Sequence, residues 1–169
     1  MVKKDTVKYY AAPTFFILML LDGQFTRLLE NWSRNYYIAN AHLLLLGLMC
    51  GCMVLSKRYM LITSVVLGML FDMYYVGVLG IYMVALPLSV WLMYALADTL
   101  YRNVFTMFFG MIIFVTLFEL VTLSIQMLFK LADVSDTFFI SRFLGPTLLI
   151  NMLLFIIFIF PFKKLFVIE

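Results

Sequence analysis

The side chains of this chain that could do chemistry are few, and most lie in apolar sequence. Asp72 is the only acidic or basic side chain between Tyr59 and Ala97. Glu119 lies in the apolar run that starts near Val104, and Asp22 interrupts the run that starts near Tyr9. His42 is the single histidine, and Cys50 and Cys52 are the two cysteines. Carboxylates in such settings could act as general acids or bases, relay protons, or hold a partner. Acid–base work needs a second group at a matched distance, and no second carboxylate or nucleophile keeps a readable spacing with Asp72. There is no H-E-x-x-H and no second histidine to rebuild it, no G-x-S-x-G, no phosphate-binding loop, and no Glu-Glu pair followed by histidines. No enzyme, no cofactor and no metal site is expected.

The carboxylates then need a physical role. An ionisable group deep in a span costs about 2.5–3.5 kcal/mol on insertion scales, so it faces the bundle interior. Gly68 precedes Asp72 by four residues, which puts both on one helix face and leaves room for a close neighbour. Gly77 and Gly80 follow where the chain must turn. Asp72 is expected to satisfy backbone groups of that turn or of the next helix; a partner-binding or transport role is the alternative. Glu119 has Thr116 and Thr122 nearby and reads either as a hydrogen-bonded glutamate packed in the bundle or as a buried contact to another subunit or small ligand. Asp22 and Asp72 lie near the outer ends of their spans and are expected to be partly wet. His42 reads as interfacial packing. Cys50 and Cys52 read as small apolar residues; on a helix they point about 200° apart, so no disulfide joins them.

The elements that position these residues follow from composition. The chain has 169 residues, 66% hydrophobic and 12% charged, with mean hydropathy +1.09. Soluble domains run about 45–50% apolar and about 25% charged, so this is a membrane protein. Each span needs roughly 20 apolar residues. The expected fold is all-α, a single membrane domain over 1–169 with about six transmembrane helices at 9–28, 37–55, 59–75, 78–97, 104–129 and 141–161. Pro13 falls in the first turns of the first span, where a missing N–H is tolerated. Pro87 would kink the fourth. Trp32, Tyr36 and Tyr37 make an interfacial aromatic belt. The basic, then apolar start is expected to be a retained span, since no small-x-small cleavage site follows.

Orientation follows from the basic residues. Lys3, Lys4, Lys8, Lys57, Arg58, Arg102, Lys163 and Lys164 fall on one side; Arg27, Arg34, Lys130 and Arg142 fall on the other. The richer side is cytoplasmic, so both termini are expected inside. The net charge of +3 reports loop placement and not nucleic-acid binding.

Gly68-x-x-x-Asp72, followed by Val78-Leu-Gly80-Ile-Tyr-Met-Val-Ala-Leu-Pro87-Leu, resembles the central segment of the rod shape-determining MreD family. The resemblance covers the chain in size and span number, and about 25 residues in motif. It implies a non-enzymatic subunit of the cell-wall elongation machinery in the bacterial plasma membrane. Its implied partners are the single-span protein MreC, and a RodA-type glycosyltransferase with its penicillin-binding transpeptidase. It also implies a bundle similar to the substrate-binding subunits of energy-coupling vitamin transporters. Only Gly68, Asp72 and Gly80 carry over, with no chemistry assigned to them. A vitamin-binding subunit itself is the alternative, but Ala11-Ala12 are adjacent where that class has alanines four apart, and the outer loops are short. A small-solute permease, with Asp22, Asp72 and Glu119 along a path, lacks the basic partners of a relay.

Overall fold

The computed structural model of the chain describes residues 4–32, 39–131 and 139–166. Among these residues every regular element is helical: α1 (Lys4–Trp32), α2 (Leu43–Cys52), α3 (Lys57–Phe71), α4 (Tyr82–Ala95), α5 (Ala97–Leu100), α6 (Val104–Leu128) and α7 (Gly145–Leu165). α3 runs on into a π-helical turn, Asp72–Val76, and a second π-helical turn, Phe139–Leu144, leads into α7. The aromatic belt at Tyr36 and Tyr37, Arg34, Lys3 and the start of the expected second span lie outside the described residues.

α2 is the hub. It packs against α1, α3, α4, α6 and α7, and all ten of its residues are buried, Cys50 and Cys52 among them. Its sequence, Leu-Leu-Leu-Leu-Gly-Leu-Met-Cys-Gly-Cys, is apolar all round, as a helix enclosed on every side must be. Two of its glycines let α1 approach. A Cβ on Gly47 would lie 2.6 Å from Leu18, and one on Gly51 2.7 Å from Phe15.

Several expected spans have different limits. The second, expected at 37–55, is helical only over Leu43–Cys52, and residues 39–42 that feed it are not helical. Hydropathy senses burial and not helical geometry, so an apolar run reads as one span whether or not its first turns are wound. The fourth, expected at 78–97, shortens to Tyr82–Ala95 because Gly77 (φ +76°) and Gly80 (φ +116°) extend the turn before it. α1 starts earlier than expected, so Pro13 lies inside the helix and not in its first turn. There Thr14 Oγ1 donates to the Tyr10 carbonyl at 2.7 Å. Among the described residues, three helical stretches are long and apolar enough to cross a membrane: Lys57–Val76, Val104–Leu128 and Phe139–Leu165. α2 and α4 are apolar but shorter, and in α1 tyrosines, Thr14, Asp22, Gln24 and Thr26 dilute a sufficient length.

α3 packs most extensively on α4, and Gly68 marks the closest pass. A Cβ there would meet the Tyr82 carbonyl oxygen at 2.5 Å and the Met83 backbone at 2.7 Å. These are rigid atoms, so any side chain at Gly68 would push α4 away. α6 begins sharply because Asn103 caps it: its side chain accepts from the Thr106 N–H at 3.0 Å, and Thr106 Oγ1 accepts from the Asn103 N–H at 3.2 Å.

Candidate functional site

A helix that starts inside a bundle exposes backbone N–H groups to apolar surroundings, where an unmatched group costs several kcal/mol. α2 starts in that way, and five consecutive N–H groups ahead of and within its first turn go to side chains. Asn40 donates to Thr147 Oγ1 at 3.1 Å, Ala41 to Thr26 Oγ1 at 3.1 Å, and His42 to Asn151 Oδ1 at 2.8 Å. Leu43 and Leu44 donate to the two oxygens of Asp22 at 2.6 and 2.8 Å. The Asn151 amide also donates to the Asn40 carbonyl at 2.7 Å and to the Thr147 carbonyl at 2.8 Å. The acceptors come in pairs one helical turn apart, Asp22 with Thr26 on α1 and Thr147 with Asn151 on α7. Non-helical backbone at membrane depth is tolerated only when protein closes around it and satisfies it.

Glu119 of α6 completes this junction. Its Oε1 accepts from Asn40 Nδ2 at 2.9 Å and faces His42 Nε2 at 2.7 Å. His42 is 5% exposed, and its ring meets Phe118 edge-on at 5.1 Å. The expectation of an interfacial His42 is therefore corrected: a buried glutamate 77 residues away draws it inward. Asp22 is likewise not partly wet but 5% exposed, because its oxygens are spent on α2.

Asp72 does a similar thing for α4. Its Oδ2 accepts from Gly80 N at 2.8 Å and Met83 N at 3.1 Å, and its Oδ1 from Tyr82 N at 2.9 Å. Its carboxyl is fully buried, against the expectation of partial wetting, since the hairpin folds over it. Gly68 lets α4 come close enough for these bonds. Gly77 takes the left-handed conformation after the π turn, with its N–H on the Asp72 carbonyl at 2.7 Å. Gly80 takes φ +116°, open to glycine alone.

The two junctions share an aromatic seam. Phe71 stacks on Tyr82 at 4.0 Å and meets Tyr75 at 4.8 Å, Tyr82 meets Phe118 at 5.2 Å, and Phe118 reaches His42. Beside the seam lies a cavity of about 260 Å³ with Asp22 and His42 at its floor and Arg27 and Glu30 at its rim. The sites thus bring Asp22, Glu119 and His42 to one junction, and Gly68, Asp72, Gly77 and Gly80 to the other. Sequence reasoning missed Thr26, Asn40 and Thr147. The polar pairs at four-residue spacing on apolar helices were the available signal.

Buried carboxylates that secure helix starts, within helices of membrane-spanning length, define a helical integral membrane protein whose polar groups serve its architecture. The chain belongs to the MreD family: the family model described as rod shape-determining protein MreD matches residues 3–168. It is also similar to the cell shape-determining protein MreD of Streptococcus pneumoniae (strain ATCC BAA-255 / R6). The two are 27% identical over 150 residues, covering 89% of this chain and 90% of that one. No solved structure gives a significant match.

Proposed function

We propose that this protein is a non-enzymatic membrane subunit of the bacterial machinery that elongates the cell wall and maintains cell shape. The observation that carries this is the family match, which spans nearly the whole chain. In this reading the chain crosses the plasma membrane about six times, α2 and α4 serving as short spans inside the bundle, with both termini cytoplasmic. It binds the single-span protein MreC through its helical surface and supports a RodA-type glycosyltransferase and its penicillin-binding transpeptidase. The bundle is similar to the substrate-binding subunits of energy-coupling transporters in this same reading. Support comes from how the buried polar groups are used: Asp22, Asp72 and Glu119 all accept hydrogen bonds from this chain's own groups.

The test is co-purification. The affinity-tagged chain, extracted in mild detergent from its own cells, is expected to bring MreC with it, and its depletion to round or widen the cells. Recovery of the chain alone with a stoichiometric vitamin, together with normal morphology and a nutrient requirement, would overturn the reading in favour of a transporter subunit. Cysteine accessibility from either side of the membrane tests the topology, with residues beside Lys57 and Lys163 expected to label from the cytoplasm.

A further inference from the structure

The two longest stretches of membrane-spanning length, Val104–Leu128 and Phe139–Leu165, pack on each other through α6 and α7. Where α6 starts and α7 ends, a furrow of about 480 Å³ lies between them, within the usual range of ligand pockets. Every described residue that lines it is apolar. Phe108, Phe155 and Ile159 form its floor, where Phe108 meets Phe155 edge-on at 5.5 Å. Phe105 on α6, and Ile156 and Phe160 on α7, stand along its edges as exposed side chains.

The furrow ends at three cations. Arg102 precedes Val104 by two residues, and Lys163 and Lys164 lie one helical turn beyond Ile159 and Phe160. Arg102 and Lys164 are exposed, and Lys163 is half-buried. None of the three makes an ion pair among the described residues; Asp98 of α5, exposed and four residues before Arg102, makes none with it. The ends of a membrane span lie at the level of the lipid headgroups, where basic side chains lay their stems on apolar surface and reach phosphate. A free anion would match the cations and not the furrow. A neutral lipid or an apolar helix would match the furrow and not the cations. An anionic phospholipid matches both. We propose that the α6–α7 furrow binds an anionic phospholipid, its phosphate on Arg102, Lys163 and Lys164 and an acyl chain against Phe108, Phe155 and Ile159. The proposal rests on the membrane character of the chain and on none of its partners, so its failure leaves the shape-determining reading intact.

Native mass spectrometry of the purified full-length protein in detergent, titrated with dioleoylphosphatidylglycerol or dioleoylphosphatidylcholine, tests it. The two lipids have identical chains, so the comparison isolates the headgroup. Phosphatidylglycerol is expected to bind at least about tenfold tighter. Lys163→Gln combined with Lys164→Gln is expected to remove most of that preference, and Arg102→Gln to lower it several-fold. Lys57→Gln combined with Arg58→Gln removes the same charge from exposed positions at the start of α3 and is expected to leave the preference unchanged. Ile156→Trp fills the furrow from an exposed position and is expected to weaken both lipids several-fold while melting as the wild type does. Equal affinity for the two lipids would overturn the proposal and leave the furrow to an apolar partner helix. Equal losses from the two double variants would also overturn it, since net charge and not the furrow would then govern binding. So would displacement of phosphatidylglycerol by inorganic phosphate beyond that caused by chloride at matched ionic strength, which would mark a site for the headgroup anion alone.

Discussion

Asp22 and Asp72 perform one task at different reach. Each is a buried carboxylate on one helix that holds the start of another. Asp72 holds α4 from 8 to 11 residues away, within a single hairpin, and the bonds it accepts are only partly buried. Asp22 holds α2 from 21 and 22 residues away, and the groups it satisfies, Leu43 and Leu44, are 2% and 4% exposed. The near site forms with its own hairpin. The far site requires α1, α2, α6 and α7 to have assembled, since Thr26, Glu119, Thr147 and Asn151 complete the same junction. A carboxylate's importance to a bundle is set less by how many bonds it accepts than by whether water can replace it.

The sharpest way to break the comparison is to remove both acceptors. Asp22→Leu leaves two buried N–H groups without their acceptors, at about 1–3 kcal/mol each. A loss of about 2–6 kcal/mol is expected, a large share of an ordinary stability of about 5–15 kcal/mol. The measurement is the midpoint of heat-induced aggregation in detergent, followed by size-exclusion chromatography. Asp72→Leu frees three N–H groups but leaves them near the turn, where Met83 is 37% exposed, so a smaller loss of about 1–3 kcal/mol is expected. Asp72→Asn keeps one acceptor oxygen and should fall between Asp72→Leu and the wild type. If Asp72→Leu proves the more damaging of the two leucine variants, water access is not what separates the sites.

The same contrast decides what the sequence could disclose. Asp72 was legible because its partners lie in the next few residues, and Gly68, Gly77 and Gly80 mark the close approach and the turn around it. The stretches Lys57–Val76 and Val104–Leu128 were legible because largely apolar runs of 20 and 25 residues leave few alternatives. The junction at α2 was not. Nothing local to His42 points to Glu119 across 77 residues, and a lone histidine near a span end looks like any interfacial residue. The unwound stretch ahead of Leu43 was equally hidden, because Asn40 and His42 hold polar contacts that only the assembled bundle supplies.

Glu119 sharpens the comparison within the far site. Its one oxygen serves both Asn40 and His42. Glu119→Gln keeps an acceptor oxygen in the same shape, so it costs about 1–2 kcal/mol, less than loss of Asp22. Combined with His42→Ala, it should show a coupling energy of about 0.5–3 kcal/mol in a double-mutant cycle of thermal stabilities. Strict additivity would mean that the 2.7 Å contact carries no energy.

The smallest effects belong to the glycines of the near site, and they separate backbone strain from crowding. A Cβ at Gly77 or Gly80 meets nothing within 4 Å, so any loss there is conformational. Gly77 has φ +76° and ψ 0°, close to the left-handed helical region, where a non-glycine residue costs about 1–2 kcal/mol. Asparagine visits that region readily, so Gly77→Asn should melt within a degree or two of the wild type and Gly77→Ala several degrees below it. At Gly80, φ +116° lies outside the left-handed helical well, so Gly80→Asn should give no such rescue relative to Gly80→Ala. Rescue by asparagine at 77 and not at 80 would show that the hairpin over Asp72 is set by backbone conformation. Equal losses at both positions would instead assign its geometry to the carboxylate alone.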